Sequence, residues 1–517
     1  MSGLVAEPLP APAPAPVAPL IARILEHARS RPDAPALQCG DETLSYAAVI
    51  ALSRELAATL PGDDVLAVLA HKTPRTIAFA LGALAERRSV LLLAPTMPEE
   101  RSAAVVAAAD VRILVDPRPG GPVVVRPHAV PRHSGRRRGD GSAAARLLLT
   151  TSGTTGVPKV VPIGLDAVER FGAWARSEFA LSPASAVLNL APLNFDLTLL
   201  EVWATLAAGG RAVLVPPARA VRGGHVLDLI EHGGIDLVQA VPTFYRLMLE
   251  SATAPGRTLP TVSTLILTGD RVDADLLAGL RTLFPAARLL NVYGMTETND
   301  SFSHEIGPDE GAEPLPIGTE LPGVLVRVRG EDGSTTEHGR GELLVSTPFQ
   351  AEGYLDRAAS AERFVTLDAD TGSDGGDGGG RVFVRTGDLV DRRPGEPTRL
   401  LGRLDRRVKI RGLAVDLAEV ERILESHPLV GAAVAVAEPD PVAGHRLAVV
   451  VQRAFPSALD LLELRSFAAL RLASGSAPSE LHVTDDPFPL TITGKTDRSR
   501  ALTQARGHLE RDRHEQH

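Results

Sequence analysis

Short apolar runs alternate with amphipathic stretches along the first half of the chain. The runs 65–70, 89–93 and 146–150 have the length and composition of buried strands, whereas 74–86 and 165–178 repeat apolar residues with helical spacing. Strands that alternate with helices predict a parallel sheet with helices on both faces. We therefore predict an α/β fold whose large core is doubly wound.

The pattern changes after Ile317, where short apolar stretches are separated by turns. Strands predicted at 324–329, 341–346 and 382–386 indicate a small β-barrel-like subdomain on the core. Helical and alternating stretches return near the C-terminus and predict a small α+β domain. The expected organisation is a disordered Pro/Ala-rich lead over 1–18, a large N-terminal core over 19–404, a small mobile domain over 405–505 and a charged tail over 506–517.

Composition excludes several classes of protein. A chain of 517 residues is too long for one core, and a net charge of -9 argues against nucleic acid as a partner. No apolar run reaches the roughly 18 residues of a membrane span, and the lead lacks the positive charge of a signal peptide. The single cysteine, Cys39, excludes an internal disulfide framework and is more typical of a core residue than of a nucleophile. We expect a soluble, cytoplasmic protein.

Lysine is rare in this chain. Nearly all of the 54 basic residues are arginine, and the lysines are Lys72, Lys159, Lys409 and Lys495. Where arginine is the default cation, a retained lysine indicates a need for a compact charge on a flexible stem. Lys159 and Lys495 both lie in glycine-containing loops beside threonines. Chance is the alternative explanation for so small a number.

A glycine- and hydroxyl-rich loop follows the apolar run 147–149. Glycines let backbone N–H groups turn toward one point, and hydroxyls and an ammonium add donors around it, as an anion such as phosphate requires. The loop lacks the Gly-Lys-Ser/Thr ending of a Walker A motif. A flexible surface turn is the alternative. Its candidate phosphate ligands are Thr151, Ser152, Gly153, Thr154, Thr155, Gly156 and Lys159.

Two further segments carry more polar chemistry than packing requires. The segment 291–298 follows a predicted strand and offers the aromatic ring of Tyr293, the hydroxyl of Thr296 and the carboxylate of Glu297. A ring can stack on the tyrosine, and a carboxylate beside a phosphate loop can hold Mg²⁺. Asp388, at a predicted strand end, is suited to a diol such as ribose.

In their order and spacing these segments resemble one family, the adenylate-forming enzymes, and within it the amino-acid adenylation domains of nonribosomal peptide synthesis. The resemblance covers most of the chain and is specific because many motifs match in order. They are Leu44-Ser45-Tyr46, 151–159, Asn194-Phe195-Asp196, 293–297, Gly353-Tyr354-Leu355, Thr386-Gly387-Asp388, 402–412 and 489–498.

The resemblance implies a reaction in two steps. A carboxylate attacks the α-phosphate of ATP, which gives an acyl-AMP and pyrophosphate, and a thiol then displaces AMP. Lys495 would bridge the carboxylate and the α-phosphate, Thr296 would contact the α-phosphate, and Glu297 would hold Mg²⁺. The small domain would rotate about a hinge at Asp405 between the two steps and present the strand 409–412 to the thiol.

The resemblance also implies the binding residues for ATP. The loop 151–159 would close over the β- and γ-phosphates, Asn291 and Tyr293, with Gly294 beside them, would hold adenine, and Asp388 and Arg403 would hold the ribose. The sequence departs from the family pattern at Val160, at Arg407, in 89–95 and in 470–480. None of these departures removes an implied catalytic group, so they indicate a divergent branch.

Asp196 is the residue that bears most directly on the substrate. In amino-acid-activating members an aspartate at this place pairs with the substrate ammonium, and a buried carboxylate facing an ammonium avoids an uncompensated charge. The alternative is that Asp196 caps the helix predicted to start at Leu197. A small α-amino acid ranks first as substrate, then a β-amino or diamino acid. The implied pocket comprises Phe195, Asp196, Leu197, Leu200, Gln239, Ile266, Thr268, Val292, Asp300 and Ser301.

The acceptor is inferred from what the sequence lacks. No Gly-Gly-His/Asp-Ser carrier signature and no His-His-x-x-x-Asp-Gly condensation signature occurs. We therefore expect a free-standing ligase that loads the phosphopantetheine thiol of a separate carrier protein. Two other functions remain open: an acyl- or aryl-CoA ligase of the same superfamily, against which Asp196 argues, and a non-catalytic nucleotide- or carrier-binding protein, against which Lys495, Glu297 and Asp388 argue.

Overall fold

The computed structural model describes residues 18–60, 65–118, 124–127, 145–151, 158–254, 256–311, 315–367, 380–410, 413–440, 444–454, 459–472, 478–491 and 494–515. Two predictions fall outside these ranges: the lead over 1–17 and residues 152–156 of the predicted phosphate loop. Residues 368–379 and 411–412 also lie outside them. The side chains of Asp405 and Lys409 are likewise not described.

A mostly parallel sheet with antiparallel edge strands forms the centre of the large domain. Ile266 packs into the apolar core on one face and its neighbour Leu265 into the core on the other. Burial on both faces explains why its strands read as continuous apolar runs. In spatial order the strands are Thr319–Glu320, Asn299–Glu305, Arg288–Met295, Thr264–Thr268, Leu237–Ala240, Ala186–Asn189, Arg211–Leu214, Pro35–Cys39 and Glu42–Ser45.

A second mostly parallel sheet lies across the same core. Val68 and Leu92 belong to the apolar cluster that also contains Ile266, whereas their neighbours Ala67 and Leu93 face a separate cluster. The two sheets therefore share one interior, and the predicted α/β core with doubly wound sheets is confirmed. In spatial order its strands are Val124–Pro127, Ile113–Asp116, Leu66–Leu69, Val90–Leu93, Arg146–Thr151 and Lys159–Gly164.

Mostly antiparallel strands follow in the C-terminal half of the chain. One sheet comprises Thr335–Thr336, Leu325–Arg329, Gly339–Ser346, Arg381–Arg392 and Phe364–Leu367, with Arg399–Arg403 paired to Arg381–Arg392. The small C-terminal region has its own apolar core, which includes Val415, Leu424 and Val449. Its strands are Arg407–Ile410 with Leu413–Asp416, and Val430–Asp440, Gly444–Arg453 and Glu480–Thr484.

Helices cover these sheets, and several begin at recognisable caps. Ser45 and Thr73 each accept a hydrogen bond from the backbone N–H three residues ahead. No helix in the described ranges is both long and apolar enough to cross a bilayer. The α-helices are Pro19–Ser30, Tyr46–Ala58, Pro74–Ala85, Glu99–Ala108, Leu165–Glu178, Thr205–Ala207, Pro217–Ala220, Gly223–Gly233, Pro242–Ser251, Ala274–Leu283, Arg357–Arg363, Leu417–Glu425, Leu461–Arg471 and Arg498–Glu515.

The segment 291–298 was predicted to be a loop, and this is wrong for residues 291–295, which belong to the strand Arg288–Met295. Residues 296–298 form the turn from which the chain returns as Asn299–Glu305 in an antiparallel hairpin. Asp388 likewise lies within the strand Arg381–Arg392 rather than at its end. Polar side chains that alternate along a half-buried strand resemble a loop in sequence, because they interrupt the apolar run without ending the strand.

Three boundaries also differ from the sequence-based expectation. The segment predicted as one charged strand over 402–412 is interrupted by a 3₁₀ turn, Leu404–Arg406. The helix predicted over 197–208 begins as a π-helix, Leu199–Ala204. The last helix crosses the expected limit at 505, because Arg506 pairs with Glu438 and Glu480 of the small sheet.

Candidate functional site

The polar segments singled out in the sequence meet at one edge of the two sheets. Strands Ala186–Asn189, Thr264–Thr268 and Arg288–Met295 are parallel, so the segments that follow them lie on the same side. The second sheet contributes the end of Arg146–Thr151, where the Thr150 hydroxyl oxygen lies 3.4 Å from the Asn194 side-chain amide nitrogen. Crevices at the carboxyl ends of parallel strands are the usual ligand sites of such folds.

Asp196 lies at the centre of this edge. Its side chain keeps some accessible surface, yet it is deep enough that burial raises its pKa above that of an ordinary aspartate. The Thr296 hydroxyl and the Leu197 N–H donate to its carboxylate and oppose the rise, as does the Lys495 charge, whereas the Glu297 charge adds to it. Asp196 thus lies beside Thr296, Glu297 and Lys495, and the π-helix that follows has no side-chain cap.

A tight turn of the small domain brings Lys495 to this carboxylate. The Lys495 N–H donates to the Thr491 hydroxyl at 3.2 Å, and the Thr491 N–H donates to the Lys495 carbonyl at 2.7 Å. Gly494 has a φ of 79°, and a Cβ there would lie 2.9 Å from the ring of Phe244. Only glycine fits this close approach without strain. The turn therefore holds the lysine against the large domain.

Glu297 is buried, with 5% of its surface exposed, and is held by Tyr354. The Tyr354 hydroxyl donates to the Glu297 carboxylate, and burial, with the Glu297 charge, raises the pKa of Tyr354. The Lys159 ammonium lies 4.8 Å from the centre of the Tyr354 ring, and Lys159 pairs with Thr151 across a hairpin. Lys159, at one end of the predicted phosphate loop, and the Glu297 carboxylate are thus joined through one tyrosine.

Asp388 is fixed by two neighbours. Tyr293 donates its hydroxyl to one carboxylate oxygen, at 2.5 Å, and the Arg403 guanidinium donates to the other, at 2.9 Å. The Asp388 N–H donates to the Thr386 hydroxyl at 3.0 Å. Burial, with the Asp388 charge, raises the pKa of Tyr293 well above its usual value, so the phenol stays a donor. The two residues predicted for the ribose therefore form an ion pair beside the predicted adenine tyrosine.

Asn291 and Gly294 lie on the same strand as Tyr293. The Asn291 side-chain amide donates to the Pro316 carbonyl at 2.8 Å, which orients its amide oxygen as an acceptor. A Cβ on Gly294 would lie 2.4 Å from the Asn299 carbonyl oxygen, so a side chain there would force the hairpin apart. The three residues predicted to hold adenine therefore share one strand of the hairpin.

Four of the ten residues of the predicted substrate pocket share one face of the large sheet. Gln239 pairs with Ile266, and Thr268 pairs with Val292, so all four point to the same side. Each is buried, as are Leu200 and Ser301, whereas Phe195 and Leu197 are half-buried. The Gln239 amide oxygen is buried with no hydrogen-bond partner among the described residues.

Asp300 is the second carboxylate of this region. It pairs with Gly294 across the hairpin, and burial, with the Asp196 charge, raises the pKa of Asp300 to about 7. The sequence left open whether this side chain faces solvent. A pKa raised by burial and by Asp196 favours a position inside the pocket.

Sequence reasoning included Tyr354 in a motif but missed it as a site residue. The sequence signal was the glycine directly before this tyrosine. In the structure this glycine has a φ of 133° and turns the chain there. Lys72 stands out in the sequence only because lysine is rare, and Glu201 does not stand out at all. Both prove to be buried beside the segment that carries Asp196.

Family models match two parts of the chain. The AMP-binding enzyme model matches residues 24–355, and the AMP-binding enzyme C-terminal domain model matches residues 419–495. The first match alone covers more than half of the chain. The predicted resemblance to adenylate-forming enzymes is therefore confirmed.

Relatives and solved structures agree with the family models. The L-proline–[L-prolyl-carrier protein] ligase of Pseudomonas fluorescens is 30% identical over 363 residues, which cover 70% of this chain and 68% of that ligase. The dimodular nonribosomal peptide synthase of Bacillus subtilis is 30% identical over 93% of this chain, which spans only 21% of that synthase. The structure of Klebsiella oxytoca NpsA in complex with 3-hydroxyanthranilyl-AMSN has a TM-score of 0.74 at 24% identity, and the match covers 94% of this chain and 99% of that chain.

At 24% identity the NpsA structure establishes the fold alone, so function must be argued from the site and from the sequence relatives. A further relative is the D-alanine–D-alanyl carrier protein ligase of Bacillus licheniformis, 25% identical over 81% of this chain and 85% of that ligase. With the two family matches, these findings show that the chain belongs to the AMP-binding, adenylate-forming enzymes of the nonribosomal peptide synthetase and carrier-protein ligase type.

Proposed function

We propose that the chain activates an amino acid with ATP as an aminoacyl-AMP and then transfers it to the phosphopantetheine thiol of a separate carrier protein. The observation that carries the proposal is the meeting of Asp196, Thr296, Glu297 and Lys495 at one crevice. Amino-acid-dependent exchange of pyrophosphate into ATP tests the first step. Absence of exchange across α-, β- and D-amino acids would favour a non-catalytic binding protein.

In the proposed first step, a carboxylate oxygen of the amino acid forms a bond to the α-phosphorus of ATP and the bond to the bridging oxygen of pyrophosphate breaks. Negative charge accumulates on the α-phosphate oxygens as this happens. Lys495 would neutralise that charge and Thr296 would donate to it. In the second step the carrier thiolate attacks the carbonyl carbon and AMP leaves.

The nucleotide would be held by groups already fixed in place. Asp388 would accept from the ribose hydroxyls while Tyr293 and Arg403 keep its oxygens oriented. Pre-oriented acceptors lose little freedom when a ligand binds. Lys159 and Thr151 lie at the base of the loop that would enclose the β- and γ-phosphates.

Glu297 is the residue that would hold Mg²⁺. The described residues contain no group of three or more His, Cys, Asp or Glu side chains that could hold a metal. One carboxylate still fits this ion, because Mg²⁺ bound with a nucleotide takes most of its ligands from phosphates and water. When bound, the ion would offset the charge of the phosphate oxygens. The Tyr354 hydroxyl would keep Glu297 aimed at it.

We expect Tyr354→Phe to raise the Mg²⁺ concentration needed for half-maximal pyrophosphate exchange by about tenfold, as the loss of a group that orients a metal ligand typically does. The phenyl ring still packs beside Lys159, so only the hydroxyl on Glu297 is lost. A titration of exchange against Mg²⁺ at fixed ATP measures this. Phe364→Leu is the control, because Phe364 packs edge-on at 5.6 Å against the Tyr354 ring without touching Glu297. An unchanged Mg²⁺ dependence would contradict the assigned role of Glu297.

The substrate is proposed to be a small α-amino acid, with a β-amino or diamino acid next. Small and aliphatic residues such as Val292, Ile266 and Ser301 would line the pocket, and Asp196 would meet the ammonium. An acyl- or aryl-CoA ligase is the competing enzyme, but a fatty or aryl acid would leave the Asp196 carboxylate buried without a countercharge. Exchange with aryl acids as controls separates the two.

Asp300 would distinguish substrates with a second amine from substrates with only one. Because burial and the Asp196 charge raise the pKa of Asp300 to about 7, its carboxylate would add a second negative charge beside Asp196 only as the pH rises above that value. We expect Asp300→Asn to leave exchange with alanine within about threefold and to lower kcat/KM for 2,4-diaminobutyrate by about tenfold at pH 8. Equal effects on both substrates would show that Asp300 does not contact a second amine.

A further inference from the structure

A buried lysine lies beneath the segment that carries Asp196. Lys72 is 7% exposed, and its ammonium donates to the Asn189 carbonyl at 3.2 Å and to the Leu190 carbonyl at 2.7 Å. Asn189 ends the strand Ala186–Asn189, and the segment 190–198 begins directly after it. Lys72 therefore binds the chain at the point where this segment leaves the sheet.

Glu201 holds the other end of the same segment. It is fully buried in the π-helix Leu199–Ala204, and the Asn189 side-chain amide donates both to its carboxylate and, at 3.1 Å, to the Ala191 carbonyl. Lys72, Asn189 and Glu201 thus connect the strand end to the helix. A π-helical turn is rare and occurs mostly at functional sites.

Asp196 lies between these two anchors. The Leu199 N–H donates to the Asp196 carbonyl at 2.8 Å, and the Glu201 N–H donates to the Leu197 carbonyl at 3.1 Å. The position of Asp196 is therefore tied to the helical turn that carries Glu201. A shift of that turn would move the carboxylate.

The buried charges depend on one another. Burial raises the pKa of Glu201 to about 8, the Asp196 charge adds to that rise, and the Lys72 charge opposes it. Burial lowers the pKa of Lys72 to about 7, and the charges of Glu201 and Cys39 oppose that fall. Removing one member of a buried pair leaves the other uncompensated, whereas removing both is often tolerated.

We propose that Lys72 is a positioning residue for the amino-acid site: its ammonium holds the Asn189 and Leu190 carbonyls where the segment 190–198 leaves the sheet, stabilises the Glu201 carboxylate that Asn189 binds, and thereby keeps Asp196 in place as the carboxylate that a substrate ammonium meets. This rests on the proposed activation of an amino acid. This role also explains why lysine is retained at position 72. Lys72, Lys159 and Lys495 all lie around this one site.

The test compares KM for the amino acid with KM for ATP in pyrophosphate exchange. Lys72→Met should raise the amino-acid KM at least about tenfold and leave the ATP KM within about threefold, because the nucleotide groups are not linked to Lys72. Adding Glu201→Gln should bring the amino-acid KM back to within about fivefold of the wild-type value, since no charge is then left unpaired. A double variant that is as impaired as Lys72→Met, or more so, overturns the proposal.

Tyr46→Phe is the matched control. The buried Tyr46 hydroxyl also donates to two carbonyls, those of Leu206 at 2.9 Å and Gly210 at 2.7 Å, but at the far end of the same helical segment. We expect it to lower the melting temperature without moving the amino-acid KM. If Lys72→Met does the same, Lys72 is merely structural and the proposal is wrong.

Two outcomes keep this test separate from the proposed function. Wild-type enzyme that shows no amino-acid-dependent exchange refutes the activation itself, whatever the variants do. If the wild type is active and Lys72→Met is insoluble, the double variant must still fold and must recover the amino-acid KM. A double variant that also fails to fold overturns the role of Lys72 alone.

Discussion

Lys495→Ala should lower the rate of pyrophosphate exchange by roughly 10²- to 10³-fold, the loss seen when one preorganised group that stabilises transition-state charge is removed. ATP binding, followed by calorimetry, should change by no more than about threefold, because the lysine charge matters most as charge develops on the α-phosphate. The structure places this ammonium where it acts on Asp196 and beside Gly269 of the large domain.

A loss of the small domain's fold could mimic this result, so Arg498→Ala is the control. Arg498 lies three residues further along and pairs with Glu421 at 3.2 Å inside the small domain. Its removal weakens the same region without touching the crevice, and we expect near-normal exchange. If Lys495→Ala also exchanged pyrophosphate at near-normal rates, the charge at the reacting centre would have to come from another group.

The fold was largely predictable because apolar patterning is a local signal. The helix Leu165–Glu178 coincides with the predicted 165–178. The strands Leu237–Ala240 and Thr264–Thr268 lie within one residue of the bounds that the apolar pattern predicts, 237–241 and 264–268. Patterning failed where polar side chains alternate along a strand. The hairpin made by Arg288–Met295 and Asn299–Glu305 was therefore missed.

The site was predictable only as a set of separate segments. The contact between Tyr354 and Glu297 joins residues 57 positions apart, and Lys72 meets Asn189 across 117 positions. Such contacts depend on how the sheets pack, and no local pattern encodes them. The rarity of lysine was the one sequence signal that pointed to Lys72, and it did not indicate a partner.

The conformation of the described residues also bears on the mechanism. The Gly494 turn packs on Phe244, so Lys495 is held beside the large domain, where the proposed first step requires it. A second arrangement, in which the small domain rotates about Asp405 to admit the thiol, stays a prediction. The contact at Gly494 must break for that rotation, and no contact of the Asp196 cluster other than Lys495 need change with it.

Asp196→Asn should lower kcat/KM for the amino acid by about 30-fold or more, since a buried charge pair that loses one partner costs roughly 2–5 kcal/mol. The wild-type amino-acid KM should rise as pH falls through the raised pKa of Asp196, because the protonated acid no longer pairs with an ammonium. The asparagine variant should lose this pH dependence while its KM for ATP stays unchanged. Exchange kinetics measured between about pH 5 and pH 8, where most proteins are stable, give both the KM values and their pH dependence.

Stability distinguishes this loss from unfolding. Since the folded protein holds the Asp196 proton more tightly than the unfolded chain, the ionised carboxylate destabilises the unliganded fold as pH rises from the ordinary aspartate pKa through the raised pKa of Asp196. Asp196→Asn should therefore melt no lower than the wild type at neutral pH despite its poor activity. Asp236→Asn is the matched control. The Asp236 carboxylate accepts a hydrogen bond at 2.7 Å from the N–H of Ala186, which begins the strand leading to the Asp196 segment, and burial raises the pKa of Asp236 too. Its replacement should leave the amino-acid KM unchanged, and an equal loss in both variants would mean that Asp196 has no special pairing with the substrate.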